Sequence, residues 1–216
     1  MQEQVVVTGI ILKVVPAGEY DRRIVLLTKE RGKITAFVKG ARRQNSRFVA
    51  STNLFCFGAF RLYEGKTAYN LVEAEISNYF EHLRDDFEGA YFGMYFLEMA
   101  DYYARENNDE KELLKLVYQS LRALSSDVLS KKLVKSVFEL KAIMINGEFP
   151  GVSIKDMLHE TTIYTIGYIE KSTIEKLYTF NLTDEILTDL EKFASHMVNL
   201  CIDRKFNSLT ILKTLL

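Results

Sequence analysis

The 216-residue chain is 48% hydrophobic and carries 28 basic against 29 acidic side chains, which is the composition of an ordinary folded protein. Its two cysteines, Cys56 and Cys201, show no spacing typical of a disulfide framework, so we expect a reducing cytosol. A net charge of −1 argues against nucleic-acid binding over the whole surface. The sequence shows neither a basic leader nor an apolar run of about 20 residues, so we expect neither export nor a membrane span.

The first 80 residues predict a small β-barrel. β-Branched and aromatic residues come in short runs that charged or glycine-bearing turns separate, which is typical of strands. The five runs are Val5 to Val15, Ile24 to Thr28, Ile34 to Val38, Leu54 to Tyr63 and Tyr69 to Ile76. Gly32 takes the strained position of the predicted hairpin turn between the second and third. Five strands with a longer third connection predict the Greek-key OB barrel, although an SH3-like barrel stays open.

From about Asp85 the hydrophobic period changes from two to nearly 3.6, which predicts helices. The predicted helices begin at Asp85 or Asp86, at Asn107 to Asp109, at Val128, at Thr183 and at Ser208; the first, third and fourth end near Arg105, Asn146 and Asp203. Residues 147–171 are the least regular, and the alternation from Thr161 to Ile166 favours a short hairpin there. The predicted fold class is α+β: an OB barrel over residues 1–80, then an all-helical domain over residues 81–216.

Six aromatic residues at helical spacing in the first predicted helix are more typical of core than of a ligand box. They are Tyr91, Phe92, Tyr95, Phe96, Tyr102 and Tyr103. We therefore expect this cluster to anchor the helical domain.

The charge is divided unevenly along the chain. Residues 1–80 carry 12 basic against 7 acidic side chains, and residues 81–216 carry 16 against 22. Within the first part, one segment holds seven basic residues against the single acid Glu30: Lys29, Arg31, Lys33, Lys39, Arg42, Arg43 and Arg47. Such groups neutralise phosphates and release counterions, and Tyr20, Phe37 and Phe48 offer stacking faces nearby. The segment therefore predicts a nucleic-acid interface, the alternative being solvated loop charges.

Catalytic and metal sites are not predicted. The three histidines, His82, His159 and His196, are distant from one another and from both cysteines, so no zinc pattern can be drawn. Asp156 and His159 have the spacing of a carboxylate and an imidazole that share a metal, but the pair stands alone. We expect a non-enzymatic protein without a cofactor.

Several ordered blocks in the first 80 residues resemble a known family. The blocks are Thr8 to Lys13, Tyr20 to Val25, Leu27 to Lys33, Val38 to Arg43 and Ser46 to Phe48, with Leu62-Tyr63, Gly65 and Glu73 to Glu75 continuing the match. They resemble the start of bacterial RecO proteins. The resemblance implies an OB-fold followed by a helical domain. It also implies a cytoplasmic, nucleoid-associated recombination mediator that binds single- and double-stranded DNA, anneals complementary strands, and with RecR helps RecA load on DNA covered by single-strand-binding protein.

The resemblance also implies where DNA and partners bind. The family's basic OB surface maps onto Lys39, Arg42, Arg43 and Arg47, and also onto Arg22, Arg23 and Lys33. RecR is expected on the barrel, and the acidic tail of single-strand-binding protein on the helical domain. The four-cysteine zinc module of many members is replaced here by Glu148 to Tyr168, which has no cysteine, so zinc is not expected. The rival hypothesis is an OB-fold adaptor that binds an acidic protein and no DNA.

Overall fold

The computed structural model describes residues 4–153 and 157–215. The chain divides into two compact units, which we call the barrel unit and the helical unit. The barrel unit comprises Met1–Glu81 and Leu97–Leu114, and the helical unit comprises His82–Phe96 and Lys115–Leu216. The chain therefore leaves the barrel unit, returns to it, and leaves it again.

Five strands form a closed barrel. They are β1 (Gln4–Ala17), β2 (Asp21–Thr28), β3 (Gly32–Val38), β4 (Phe57–Glu64) and β5 (Tyr69–Asn78). Around the barrel they lie in the order β1-β2-β3-β5-β4, with β1 antiparallel to β4 and β3 parallel to β5. This Greek-key order confirms the predicted OB barrel and decides against the SH3-like alternative.

Alternate side chains of each strand fill the barrel, as the period of two requires. On β2, for example, Ile24 and Leu26 are completely buried, and Phe60 and Leu62 on β4 are equally so. These residues belong to one core cluster with Val7, Ile11, Ile34, Ala36, Val38, Ala41, Phe48, Cys56, Tyr69 and Leu71. The other face of each strand is left for solvent or for covering segments.

The β2–β3 hairpin is covered at its tip by a segment that follows the long helix. Gly32 has φ +63°, and a Cβ on it would clash with the carbonyl oxygen of Arg105. The amide of Lys33 donates to that same oxygen (2.9 Å), and the amide of Asn107 donates to the carbonyl of Arg31 (3.0 Å). Glycine is required here both by the turn and by the close approach of this segment.

Eight α-helices lie in the described ranges. They are α1 (Phe48–Ser51), α2 (His82–Asp85), α3 (Phe87–Tyr103), α4 (Lys111–Ala123), α5 (Lys131–Ile145), α6 (Glu160–Lys171), α7 (Asp184–Cys201) and α8 (Asn207–Leu215). The predicted cap of α3 is confirmed, because Asp86 Oδ1 accepts from the amide of Gly89. Within the described residues, no helix is long and apolar enough to cross a membrane.

Aromatic rings of α3 lie in the core, as predicted. Phe92, Tyr95 and Phe96 are buried, and Phe96 stacks on Phe138 of α5 with centroids 4.2 Å apart. The hydroxyl of Tyr95 donates to Glu139, 2.7 Å away. The helical unit therefore has its own core.

The hairpin predicted within residues 147–171 is wrong, because α6 occupies that place. Thr162, Thr165, Ile166 and Ile169 are the buried residues of α6, and their spacing is helical. At the end of the helix, the buried ammonium of Lys141 donates to the carbonyls of Ile169, Glu170 and Ser172. Packing against α5 thus overrides the strand propensity of the threonine-rich run.

Candidate nucleic-acid interface

The outer face of the β2–β3 hairpin presents a cation beside an exposed aromatic ring. Arg23 of β2 pairs with Phe37 of β3, while their neighbours Ile24 and Ala36 point into the core. The next strand along places Asn70 opposite Phe37. Arg23 is exposed and Phe37 is 39% exposed, which is unusual for a phenylalanine on a strand. The strand register therefore places the Arg23 guanidinium next to the Phe37 ring, which can stack on a base.

Lys13 extends this face onto β1, and the sequence analysis missed it. The pairing of β1 with β2 shifts between Ile11 and Lys13, so that Lys13 lies opposite Val25 and is exposed. Val15 follows opposite Arg23. Lys13 stands within a long apolar run, and only the position of the register shift decides which way it points.

Residues 39–47, which we call the basic loop, are anchored to the β1–β2 turn. The amide of Gly40 donates to Asp21 Oδ1 (2.7 Å), and the amide of Arg42 donates to the carbonyl of Tyr20 (2.8 Å). Arg42 Nη1 also donates to the carbonyls of Gly18 and Glu19. These backbone and side-chain contacts hold the loop in place, while its basic side chains remain exposed.

Arginine side chains of the basic loop lie over aromatic rings. The guanidinium of Arg43 is 5.3 Å from the ring centroid of Tyr20, and that of Arg47 is 4.9 Å from Phe48. Arg47 Nη2 donates to the carbonyl of Val72 on β5 (2.6 Å). A guanidinium has five N–H donors, so both arginines keep donors for a further acceptor. Lys39, at the start of the loop, is exposed.

Two predicted binding residues are engaged inside the protein. Arg22 Nη1 donates to Thr52 Oγ1 (2.9 Å) and to Asn53 Oδ1 (3.2 Å), which fixes the segment after α1. Lys33 Nζ donates to the carbonyl of Asp101 (2.6 Å) and pairs with its carboxylate (3.2 Å). Arg22 and Lys33 are also half-buried, whereas the other five predicted residues are exposed and lie on or beside the basic loop.

Phe48 is also not available as a stacking face, contrary to expectation. Its side chain is 9% exposed and belongs to the barrel core, because α1 turns it inward. Tyr20, in contrast, is 45% exposed. Two aromatic rings, Tyr20 and Phe37, thus remain of the three that were predicted.

We call the resulting surface the cationic face. It consists of Lys13, Arg23, Lys39, Arg42, Arg43 and Arg47, with Phe37 and Tyr20 among them. Two acids lie beside it, Glu19 in the β1–β2 turn and Asp21, and the latter is engaged with the Gly40 amide. Positive charge dominates, so a polyanion is the ligand that this surface favours.

Metal ligands are not assembled in the part of the chain that the structure describes, where no group of three or more His, Cys, Asp or Glu side chains could hold an ion. Asp156, one half of the predicted carboxylate and imidazole pair, lies outside the described residues. His159 caps α6, since its Nδ1 accepts from the amide of Thr161 (3.1 Å).

Comparison with known proteins agrees with the architecture. Residues 1–80 match the family model described as recombination protein O N terminal, and residues 84–153 match recombination protein O C terminal. The chain is 27% identical to DNA repair protein RecO of Acetivibrio thermocellus, with 96% of each protein covered. It is 27% identical to the RecO of Clostridium novyi, over 94% of this chain and 91% of the relative, and 26% identical to that of Clostridium perfringens, over 95% and 96%. None of these relatives is named for an enzymatic activity. On these matches, the chain belongs to the RecO family of DNA repair proteins.

Proposed function

We propose that the chain binds single- and double-stranded DNA on its cationic face, anneals complementary strands, and with RecR helps RecA load onto DNA covered by single-strand-binding protein. The observation that carries this proposal is the exposed Phe37 ring next to Arg23, on the strand face that OB-folds use for oligonucleotides. A cationic track beside an exposed ring is the combination by which proteins bind single strands without sequence preference.

Phosphates of one strand lie along the basic loop in this account. The six basic side chains of the cationic face, four of them on this loop, neutralise the phosphates, which releases counterions and supplies most of the affinity. Bases stack on Phe37 and Tyr20, and each stacked base contributes about 1–3 kcal/mol. Because the contacts are to phosphates and ring faces, base edges remain open for pairing.

Annealing follows from the same contacts. Two strands repel each other through their phosphates, and a cationic surface that holds one strand reduces this repulsion for the other. The chain makes and breaks no covalent bond in this process. Its contribution is to raise the rate at which complementary strands meet.

Partner contacts are proposed from the family resemblance. RecR is assigned to the barrel unit, and the acidic tail of single-strand-binding protein to the helical unit. Bound to DNA in this way, the protein would be found with the nucleoid. Immunoprecipitation of the full chain with each partner, with and without nuclease, tests these assignments separately from DNA binding.

Charge reversal on the basic loop tests the DNA proposal. The variant Arg42→Glu/Arg43→Glu should lose both oligonucleotide binding, measured by fluorescence anisotropy, and annealing, measured by quenching between labelled complementary strands. A control of equal charge change is Lys171→Glu/Lys176→Glu, whose exposed lysines lie in the helical unit. Thermal melting verifies that both variants fold.

The adaptor hypothesis gives the opposite result. If the wild-type chain has no measurable affinity for DNA at low salt, yet binds an acidic protein in a salt-insensitive way, the DNA proposal is rejected. Equal loss of binding in the control variant would also reject the assignment of the basic loop.

A further inference from the structure

A cleft of about 500 Å³ adjoins the cationic face within the barrel unit. Val25 and Thr35 form its floor on the outer side of β2 and β3. One wall is the β4–β5 turn, residues 64–68, and the other is formed by Asp101, Arg105 and Glu106. The cleft therefore continues the strand face that carries Phe37, toward the hairpin tip.

Most cations that line the cleft are already engaged. Lys33 pairs with Asp101 (3.2 Å), and Arg105 Nη1 donates to the carbonyls at the end of α3, including that of Tyr102 (2.7 Å). Lys66, on the turn, is exposed and has no ion pair in the described part of the chain. The cleft thus offers one unengaged ammonium group.

The cleft also holds exposed carboxylate acceptors. Glu106 is exposed and forms no ion pair with any described residue. Glu64 lies 4.0 Å from Arg31, the limit of an ion pair, and both side chains are more than a third exposed. Thr35 adds a hydroxyl on the floor. Two carboxylates repel a phosphate, whereas they accept hydrogen bonds from a neutral group that carries N–H donors.

The spacing along β3 connects this cleft to the stacking ring. Thr35 and Phe37 are two residues apart on the same side of the strand, a distance of about 7 Å. Stacked bases in a strand are about 3.4 Å apart, so a strand that runs along β3 would place a base two positions from the one on Phe37 at the cleft. The phosphates meanwhile remain on the cationic face.

We propose that this cleft is a base subsite that prefers cytosine and adenine, whose exocyclic amino group stands where thymine and uracil carry a carbonyl oxygen. The proposal rests on the proposed DNA binding and deepens it. The carboxylates of Glu64 and Glu106 accept from the amino group, as acidic side chains do from N4 of cytosine, with the Thr35 hydroxyl as a further acceptor. Uracil and thymine present a carbonyl oxygen at the same position, which these acceptors repel.

Oligonucleotides that differ only in this group test the proposal. Fluorescence anisotropy at mildly alkaline pH compares the affinity of the wild-type chain for 12-mers of deoxycytidine and of deoxyuridine. The two strands have the same backbone, and both lack the thymine methyl group. The deoxycytidine strand should bind at least about fivefold more tightly, the lower end of the discrimination that base-edge hydrogen bonds provide. The variant Glu64→Ala/Glu106→Ala should bring the ratio close to one, mainly by strengthening binding of the deoxyuridine strand. Both strands gain from the removal of two negative charges, but the deoxycytidine strand also loses its hydrogen-bond acceptors.

A matched control removes two acids elsewhere on the barrel. Glu73 and Glu75 lie on β5 and do not line the cleft, so Glu73→Ala/Glu75→Ala should keep the wild-type ratio. Equal affinity of the wild-type chain for both strands overturns the base subsite and leaves the proposed function intact, and so does a preference that survives Glu64→Ala/Glu106→Ala. Failure of both strands to bind would instead reject the proposed function itself.

Discussion

The salt dependence of single-strand binding gives the number of phosphates that the cationic face neutralises. Each such contact contributes about 0.7 to the slope of log affinity against log salt, so six side chains predict a slope of about −4. With that slope, raising salt from about 50 to about 200 mM lowers affinity roughly 300-fold. Anisotropy titrations of an oligo(dT) strand at a series of salt concentrations measure this slope directly.

Removing two of these cations gives the sharper test. Lys39 is exposed and Arg43 contacts the Tyr20 ring, so Lys39→Ala/Arg43→Ala should reduce the magnitude of the slope by about 1.4. Lys33→Ala is the comparison, because the Lys33 ammonium is engaged by Asp101 and should leave the slope unchanged. An unchanged slope in the double variant, or an equal fall in Lys33→Ala, would refute the separation of Lys33 from the cations of the cationic face.

Three further changes have defined outcomes. Phe37→Ala should weaken single-strand affinity by about 1–3 kcal/mol while leaving the salt slope as it is, because a stacking face and no charge is lost; unchanged affinity in anisotropy would contradict this. Gly32→Ala should lower the free energy of unfolding in urea by at least about 1–2 kcal/mol, because φ is +63° and the new Cβ meets the Arg105 carbonyl; wild-type stability would show that the turn relaxes freely. Burial raises the pKa of Asp86, but the hydrogen bonds from Lys131 and from a backbone amide outweigh it and hold the pKa below its ordinary value of 3.8. The stabilisation by Asp86 is therefore present above that pH and lost as pH falls through the folded-state pKa. Asparagine can still cap α3, so Asp86→Asn removes only the charge that pairs with Lys131 and should cost no more than about 1 kcal/mol at neutral pH and less in acid, measured by melting curves across pH; an equal cost at every pH would contradict this.

The barrel could be predicted from the sequence because its determinants are local. Alternation marks the strands, and Gly32 marks the turn that needs a positive φ. The helix α6 could not be predicted in this way. Its run from Thr161 to Ile166 satisfies both a period of two and a helical spacing of buried residues, and packing against α5 selects the helix.

The residues of the cationic face were predicted only in part, for a related reason. Charge density located the basic loop correctly on the barrel surface, but the partners of individual side chains depend on distant segments. Lys33 meets Asp101, 68 positions away, and Arg22 meets Thr52, 30 positions away. Lys13 lies on the cationic face because of a shift in strand register, and the residue types around the shift do not predict it. Local composition therefore predicts which region of the barrel is basic, and tertiary contacts determine which of its side chains stay exposed.

Photocrosslinking tests the central claim, that DNA lies across the cationic face, most directly. A strand that carries 5-iododeoxyuridine is bound to the intact chain, irradiated and digested, and the crosslinked peptides are sequenced. The account predicts that crosslinks concentrate in the peptides that contain Phe37 and Tyr20, the exposed rings of this face. Crosslinks confined to residues 115–216, on a chain that binds the strand, would contradict it.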